Sequence, residues 1–310
     1  MRVESLEFRE VKEFKVDSLY GLGTALITPF QADGSVDYQA LARLLNSQLK
    51  GTVDYIVVLG TTGEAATMTE EEKREVRTFI RKYVNGRLPL VLGVGGNNTA
   101  AVCETLKTID LTGFEAILSV CPYYNKPNQE GLYQHFCAVA KASPIPVILY
   151  NVPGRTGVNL LPETVMRIYE AQPEKIVGIK EASGNVDQIK RLIDLSQESR
   201  VKSQEPLLVI SGDDGIACEI MEAGGAGLIS VASNAFPEDF WDIVHKKDQV
   251  KQAKYENMVR LLFKEGNPVG IKAVLAQKGM IQNYLRLPLV PASEELQEEL
   301  RVESLELREV

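Results

Sequence analysis

The sequence predicts an α/β fold, a (β/α)8 TIM barrel with a C-terminal helical appendage. Eight short apolar runs recur along the chain with helical segments between them, which is the pattern of a parallel sheet built from βα units. Most runs are apolar throughout rather than alternating, as is typical of strands covered on both faces. The 310 residues suffice for one barrel, since such folds commonly form single domains of about 250 residues.

The eight predicted strands are spread over the first three quarters of the chain. They are Gly23–Ile27, Tyr55–Leu59, Leu90–Gly93, Ala116–Val120, Val147–Tyr150, Ile176–Lys180, Leu207–Ser211 and Gly227–Val231. Eight strands with intervening helices indicate a closed barrel.

Local signals predict several of the helices between these strands. Thr69 and Glu72 have the spacing of a capping box, and a helical apolar stripe follows at Val76, Phe79, Ile80 and Tyr83. Gly51 predicts the end of an earlier helix. Pro162 predicts the start of a later one, because proline is favoured in a first helical turn.

The flanking parts of the chain predict three regions. Residues 1–20 are charge-rich and form an N-terminal extension, residues 21–236 hold the barrel strands and helices, and residues 237–310 hold the last barrel helix, C-terminal helices and a tail. The extension has no predicted role.

A decapeptide occurs near both ends of the chain. RVESLEFREV at 2–11 returns as RVESLELREV at 301–310, with Phe8 replaced by Leu307. A repeat architecture needs further copies, and none is present. We interpret the pair as a terminal duplication, with a pair of association segments as the alternative.

Composition excludes several functional classes. The net charge of -8 disfavours nucleic acid as a partner. No stretch reaches the roughly 18 apolar residues that cross a membrane, and MRVESLEFREVKEF lacks the apolar core of a signal peptide, so a cytoplasmic protein is expected. The four cysteines show no CxxC spacing and the two histidines are far apart, so no metal site is expected.

The chemistry of the predicted barrel should lie at the C-terminal ends of its strands. Lys180 ends the apolar run Ile176–Ile179, so its amine should reach the barrel mouth from an apolar wall. Desolvation there would favour the neutral amine, which can condense with a ketone and then stabilise an enamine without a metal. The alternative is a lysine paired with Glu181 or another carboxylate.

Other polar residues follow the strand ends, and each has a structural alternative. Thr61 and Thr62 could bind a small carboxylate or simply form a turn. Tyr150, Tyr123 and Tyr124 could transfer protons or pack. Arg155 could grip a carboxylate with its two-pronged guanidinium or remain solvated. The Gly-rich segment 93–96 does not fit the spacing of a phosphate or dinucleotide loop.

Four motifs resemble those of the dihydrodipicolinate synthase and N-acetylneuraminate lyase family. They are GTTGE at 60–64, YYNKP at 123–127, YNVPGRTG at 150–157 and IKEASGN at 179–185, in the family's order and spacing. The resemblance extends from about Gly21 to about Ala292. It implies a pyruvate-dependent enzyme that uses a lysine Schiff base.

The resemblance also implies roles for single residues. Lys180 would form the imine with pyruvate, Tyr150 would act as general acid and base, and Thr62 with Tyr124 would complete a hydroxyl relay. The pyruvate pocket would be lined by Thr61, Thr62 and the backbone around Gly212 and Ile229. No cofactor and no metal are implied. Tyr124 would reach a neighbouring subunit, which implies a homotetramer built as a dimer of dimers.

Arg155 favours the synthase branch of the family, whose second substrate is L-aspartate 4-semialdehyde. That substrate carries a carboxylate that an arginine can bind, whereas the lyases commonly have an uncharged residue at this position. The alternative is a related pyruvate-dependent aldolase of the N-acetylneuraminate lyase or 2-keto-3-deoxy sugar acid type. A barrel that only binds partners is disfavoured by the complete catalytic set.

The chain departs from the resembled pattern at regulatory positions. Lysine-inhibited members have histidine-bearing segments and a glutamate where this chain has Glu70, Lys73 and Ala101. A basic effector would lose a carboxylate at Ala101 and meet a like charge at Lys73. The sequence therefore predicts weak or absent inhibition by lysine, which a half-inhibitory concentration in the micromolar range would contradict.

Overall fold

The computed structural model describes residues 16–199 and 206–307. Within them, eight parallel strands close into a barrel in sequence order, with the last strand beside the first. The strands are β1 (Gly21–Ala25), β2 (Tyr55–Val58), β3 (Leu90–Gly93), β4 (Ala116–Val120), β5 (Val147–Asn151), β6 (Ile176–Glu181), β7 (Leu208–Ser211) and β8 (Gly227–Ser230). The predicted (β/α)8 barrel is confirmed.

Helices follow each strand and continue beyond the eighth. They are α1 (Tyr38–Lys50), α2 (Glu70–Val84), α3 (Thr99–Thr108), α4 (Gln129–Ala142), α5 (Pro153–Thr156), α6 (Pro162–Ala171), α7 (Val186–Ser199), α8 (Ala217–Glu222), α9 (Pro237–His245), α10 (Gln249–Lys254), α11 (Glu256–Phe263), α12 (Val269–Gln277) and α13 (Glu294–Glu306). Among the described residues, no helix is long and apolar enough to cross a membrane.

The helix ends agree with the local signals in the sequence. Thr69 and Glu72 exchange the two hydrogen bonds of a capping box at the start of α2. Gly51 caps the end of α1, and Pro162 is the first residue of α6. All eight predicted strands are present, with ends that differ by at most two residues.

Two groups of apolar side chains alternate along the strands. The larger group fills the space between the strands and the surrounding helices, and it includes Val147 and Leu149 of β5. The smaller group lies inside the barrel and includes Ile148 and Tyr150 of the same strand. Because side chains alternate along a strand, every second residue of β5 points into the barrel.

A β-bulge in β6 sets the register on which the barrel mouth depends. Val147 pairs with Ile176, whereas the next residue, Ile148, pairs with Gly178. The extra residue shifts the following pairs so that Tyr150 lies directly opposite Lys180. Bulges of this kind re-aim side chains beside active sites.

The C-terminal helices dock onto the barrel through charged contacts. Lys272 of α12 forms a fully buried ion pair with Glu64, which follows β2. Arg286 donates to Glu72 of α2 and to the carbonyl oxygen of Gly34. Helix α13 packs against α11 and α12. These contacts fix the appendage against the loops at the carboxyl ends of the strands.

The terminal decapeptide is described only in part. Residues 301–306 of its second copy belong to α13, while the first copy lies outside the described residues. The interpretation of the pair as a duplication therefore stays a prediction. So does the division of the chain into residues 1–20, 21–236 and 237–310.

Candidate active site

Lys180 carries a buried amine at the carboxyl end of β6. Its side chain is 6% exposed, and its Nζ lies 4.6 Å from the centre of the Tyr150 ring. Among the described residues, no carboxylate lies within 4.0 Å of this amine. The bulge in β6 explains the contact, because it places Lys180 and Tyr150 opposite each other on the inner face of the barrel.

Glu181 does not pair with Lys180, which removes the alternative considered from the sequence. Its carboxylate accepts hydrogen bonds from Asn151 Nδ2 at 2.9 Å, from the Ser183 backbone N–H at 2.8 Å and from Gln188 Nε2 at 3.1 Å. Burial raises the pKa of Glu181, and these hydrogen bonds oppose that rise. The strand alternation turns adjacent side chains to opposite faces, so Glu181 faces away from Lys180.

Gly212 follows β7 and lies directly against the Lys180 side chain. A Cβ added at Gly212 would lie 2.9 Å from Lys180 Cε and 2.7 Å from Ala182 Cβ. Ile229 of β8 is fully buried within the apolar group inside the barrel. Gly212 therefore contacts the Lys180 side chain and Ile229 lies inside the barrel, while their part in a pyruvate pocket stays a prediction.

Thr61 and Thr62 begin a short 3-10 turn, Thr61–Gly63, after β2. Thr62 is 2% exposed, and its hydroxyl oxygen accepts a hydrogen bond of 2.9 Å from Asn267 Nδ2. Thr61 is exposed and borders the cavity at the barrel mouth. The two neighbouring threonines thus differ, since one is held in the wall and the other faces the opening.

Arg155 lies in the single helical turn α5 that follows β5, and it is exposed. Its Nη2 donates to the backbone oxygen of Asn267 at 3.1 Å, while the rest of the guanidinium has no acidic partner among the described residues. Pro153 starts the turn and Gly157 ends it in the left-handed conformation. The side chain is therefore anchored at one nitrogen and can still bind an anion.

A cavity of about 550 Å³ opens at the carboxyl ends of the strands. Tyr150, Arg155 and Thr61 line it, together with the Gly-rich segment 93–96. The cavity continues toward the groove between α2 and α3, where Glu70, Lys73 and Ala101 also line it. Lys73 forms an ion pair with Glu70 at 2.8 Å.

Tyr124 is not brought to the other predicted site residues within one chain. Its side chain is 89% exposed, and its backbone has a positive φ of 73°. Among the described residues no hydrogen bond joins it to Thr62 or Tyr150. The neighbouring Tyr123 is also exposed and lines the cavity.

Asp214, two residues after Gly212, holds the end of β8 beside the site. Its carboxylate accepts hydrogen bonds from the Ser230 hydroxyl and from the Val231 backbone N–H. Complete burial raises the pKa of Asp214 to about 6, although both hydrogen bonds oppose the rise. This aspartate therefore connects the loop after β7 to the end of β8.

Sequence reasoning missed two groups of residues around the site. Asn267 contacts both Thr62 and Arg155, and the pair of Glu64 and Lys272 holds α12 beneath the GTTGE turn. Asn267 and Lys272 lie in the C-terminal region, where no strand was predicted. The only local signal was the Gly-Asn-Pro sequence at 266–268, which predicts a turn but no contact.

The arrangement combines an amine without a carboxylate partner, a phenol beside it and a guanidinium at the rim. An amine in an apolar wall can condense with a carbonyl group, and a phenol can move protons at the neighbouring carbon. The exposed guanidinium can bind a carboxylate. These groups suit a small oxo acid with a second acidic substrate.

Comparisons with known proteins agree with this chemistry. A family model described as the dihydrodipicolinate synthetase family matches residues 18–305. The chain is 49% identical over 292 residues to the 4-hydroxy-tetrahydrodipicolinate synthase of Flavobacterium psychrophilum. The aligned region covers 92% of this chain and 97% of the relative.

Solved structures show the same relationship. One is described as the first monomeric dihydrodipicolinate synthase variant, with a TM-score of 0.88, 40% identity, and coverage of 94% of this chain and 97% of the other. Another is the chloride-inhibited dihydrodipicolinate synthase of Acinetobacter baumannii complexed with pyruvate, with a TM-score of 0.87, 39% identity, and coverage of 94% and 99%.

Proposed function

This chain belongs to the dihydrodipicolinate synthetase family, and we infer that it condenses pyruvate with L-aspartate 4-semialdehyde to give 4-hydroxy-tetrahydrodipicolinate. The reaction belongs to lysine and diaminopimelate biosynthesis. The enzyme is a class I aldolase-type lyase, which works through a lysine Schiff base. The buried, carboxylate-free amine of Lys180 is the observation that carries the mechanism.

The reaction begins at Lys180. Its neutral amine attacks the keto carbon of pyruvate, water leaves, and an imine forms. A proton then leaves the methyl carbon, and the resulting enamine attacks the aldehyde carbon of the second substrate. The amino group of that substrate next attacks the imine carbon, which closes the ring and releases Lys180.

Proton transfers accompany each of these steps. Tyr150 lies beside the Lys180 amine and acts as general acid and base. Thr62 and Tyr124 complete the relay that connects this phenol with solvent. Thr61, Thr62, Gly212 and Ile229 surround the pyruvate moiety, and the contact of Gly212 with Lys180 supports this placement.

Arg155 binds the carboxylate of L-aspartate 4-semialdehyde at the rim of the cavity. A guanidinium can offer two parallel N–H donors to a carboxylate, which fixes the orientation of the aldehyde. Its exposure and its single anchoring hydrogen bond to Asn267 support this role.

The enzyme is a homotetramer of two dimers, and it acts in the cytoplasm. The 89% exposed side chain of Tyr124 supports the first part, since a relay tyrosine that contacts no site residue of its own chain can serve a neighbouring one. The name of the monomeric variant, which marks a monomer as the unusual state among these synthases, supports it as well.

Borohydride trapping tests the mechanism. Reduction in the presence of pyruvate should attach a pyruvate-derived group to Lys180, and peptide mapping should locate it there. Lys180→Ala should lose both the adduct and turnover. Lys175→Ala is the matched control, because Lys175 is only half-buried and precedes the same strand at its opposite end.

Turnover with L-aspartate 4-semialdehyde tests the choice of second substrate. An adduct at Lys180 without this turnover would assign the chain to a related pyruvate-dependent aldolase. An adduct at another lysine, or full activity in Lys180→Ala, would refute the proposed mechanism.

A further inference from the structure

Asn267 lies outside the eight strands and yet contacts two residues of the candidate site. It stands between α11 and α12, 205 residues from Thr62 in the chain. Its side chain donates to the Thr62 hydroxyl at 2.9 Å, and its backbone oxygen accepts from Arg155 at 3.1 Å. The residue is only 7% exposed, so water does not compete freely for these contacts.

The structure orients the amide nitrogen of Asn267 toward the Thr62 hydroxyl. An amide nitrogen can only donate, so the Thr62 oxygen must be the acceptor. A hydroxyl carries one proton, and in this arrangement that proton is free to point to a different acceptor. No other hydrogen bond involves the Thr62 side chain or the Tyr150 phenol in the part of the chain that the structure describes.

We propose that Asn267 is a positioning residue that sets the direction of the proton relay by keeping the Thr62 hydroxyl as a donor toward Tyr150. This proposal rests on the proposed function, since it assigns a direction to the relay of that same site. Asn267 acts through Thr62 and does not touch the reacting atoms.

Asn267 contacts the two parts of the site through different atoms. The side chain contacts Thr62, whereas the contact with Arg155 uses the backbone oxygen, which every substitution retains. A change of the Asn267 side chain should therefore alter proton transfer and leave the binding of the second substrate almost unchanged. If Asn267 only held the appendage in place, its substitution should impair proton transfer through Thr62 and substrate binding by Arg155 to a similar extent.

Two substitutions distinguish a role of Asn267 in directing the Thr62 proton from a role in packing alone. Asn267→Asp keeps the shape but replaces the donor with an acceptor, which draws the Thr62 proton away from Tyr150. Asn267→Ala removes the contact and leaves the hydroxyl free to rotate. The proposal therefore predicts the lowest kcat for the isosteric aspartate, an intermediate kcat for alanine and the highest for the parent.

General principles give the size of the expected fall in kcat. General acid and base groups contribute about 10²- to 10⁴-fold, so a misdirected relay should lower kcat by at least roughly 10-fold in Asn267→Asp. The KM for L-aspartate 4-semialdehyde should change by less than about twofold. Exchange of the pyruvate methyl protons with deuterated water, followed by NMR, should slow in the same order as kcat.

Asn283→Asp is the matched control, because it makes the same chemical change in the C-terminal region. Among the described residues, Asn283 contacts neither Thr62 nor Arg155, and its Oδ1 has no hydrogen-bond partner. This variant should keep the parental kcat. Thermal unfolding of each variant should precede the assays, which are then run well below the lowest unfolding temperature.

The outcomes separate the two proposals. If the parent protein forms no pyruvate adduct at Lys180, the proposed function fails. If the adduct forms and Asn267→Asp turns over at the parental rate, or faster than Asn267→Ala, only the positioning role fails. Should the aspartate variant not fold, an unchanged kcat in Asn267→Ala overturns the role, and a lowered kcat with unchanged KM supports it.

Discussion

Two lysines are buried among the described residues, and their surroundings give them different roles. Lys272 is fully buried and paired with the Glu64 carboxylate, so its charge is balanced within the protein. Lys180 is buried beside the Tyr150 ring, and no carboxylate of the described part of the chain lies within 4.0 Å of its Nζ. An amine without an ion-pair partner in such a place is available to act as a nucleophile.

Substitution of Gly212 tests how closely the barrel wall fits the Lys180 side chain. Gly212→Ala would place a methyl group 2.9 Å from Lys180 Cε and 2.7 Å from Ala182 Cβ, so one of them must move. We expect kcat/KM for pyruvate to fall by at least about 10-fold, measured at saturating semialdehyde. Gly154→Ala is the control, because an added Cβ there meets no atom within 4 Å. Equal losses in both variants would contradict this account.

The burial of His135 predicts that the free energy of unfolding falls as the pH becomes acidic. Burial lowers the pKa of His135 to about 4, and its Nδ1 lies 2.9 Å from the Thr99 hydroxyl. Because the folded pKa is below the ordinary value of 6.5, the unfolded chain binds the proton first as the pH falls. The free energy of unfolding should therefore fall between pH 6.5 and pH 4, by up to about 3 kcal/mol from this group.

His135→Asn isolates that contribution, because asparagine does not titrate. Urea unfolding of parent and variant at several pH values between 6.5 and 4 should show their stability difference shrinking as the pH falls. Parallel curves over this range would show that His135 does not titrate as its burial indicates.

At the scale of elements, the contacts between the appendage and the barrel determine the geometry of the mouth. The Lys272 and Glu64 pair holds α12 under the turn that carries Thr61 and Thr62. Arg286 adds a second attachment, since it contacts α2 through Glu72 at 2.8 Å. The helices after the eighth strand are therefore part of the construction of the site.

Breaking the buried pair should destabilise the protein strongly. Burial lowers the pKa of the Lys272 ammonium to about 8, although the Glu64 carboxylate opposes this. Lys272→Met leaves that carboxylate buried without its paired ammonium, which should cost about 3 to 5 kcal/mol of unfolding free energy. The double variant with Glu64→Gln should recover part of the loss, because no charge is left unpaired.

Urea unfolding provides the measurement, with Lys107→Met as the control. Lys107 forms an exposed ion pair with Glu104 at 3.4 Å, and such pairs contribute about 1 kcal/mol or less. A double variant less stable than Lys272→Met would contradict the role assigned to the pair.

At the scale of the whole molecule, the proposed relay takes Tyr124 from a neighbouring chain. If Tyr124 serves another subunit, Tyr124→Phe and Lys180→Ala should each be inactive alone but complement each other in mixed oligomers. Random exchange makes about half of the dimers mixed, and one of the two sites in each mixed dimer has both groups, so roughly a quarter of parental activity should return. Mass spectrometry should verify that mixed oligomers form. Mixed oligomers without activity would show that Tyr124 acts within its own chain.

The sequence by itself determined the barrel and the chemical groups at its mouth. Apolar runs and helix caps are local signals, so they predicted all eight strands, the start of α2 and the position of Lys180 at a strand end. The motifs that carry the family resemblance were also readable, because each lies within a few residues of one strand.

Only the tertiary structure decided how these groups face one another. The bulge in β6 sets Lys180 opposite Tyr150, and it depends on the pairing of two strands rather than on either sequence. Asn267 reaches Thr62 across 205 residues, and Lys272 reaches Glu64 from another helix. Such contacts form only when the barrel closes and the appendage docks, because local preferences carry no information on which distant side chains will meet.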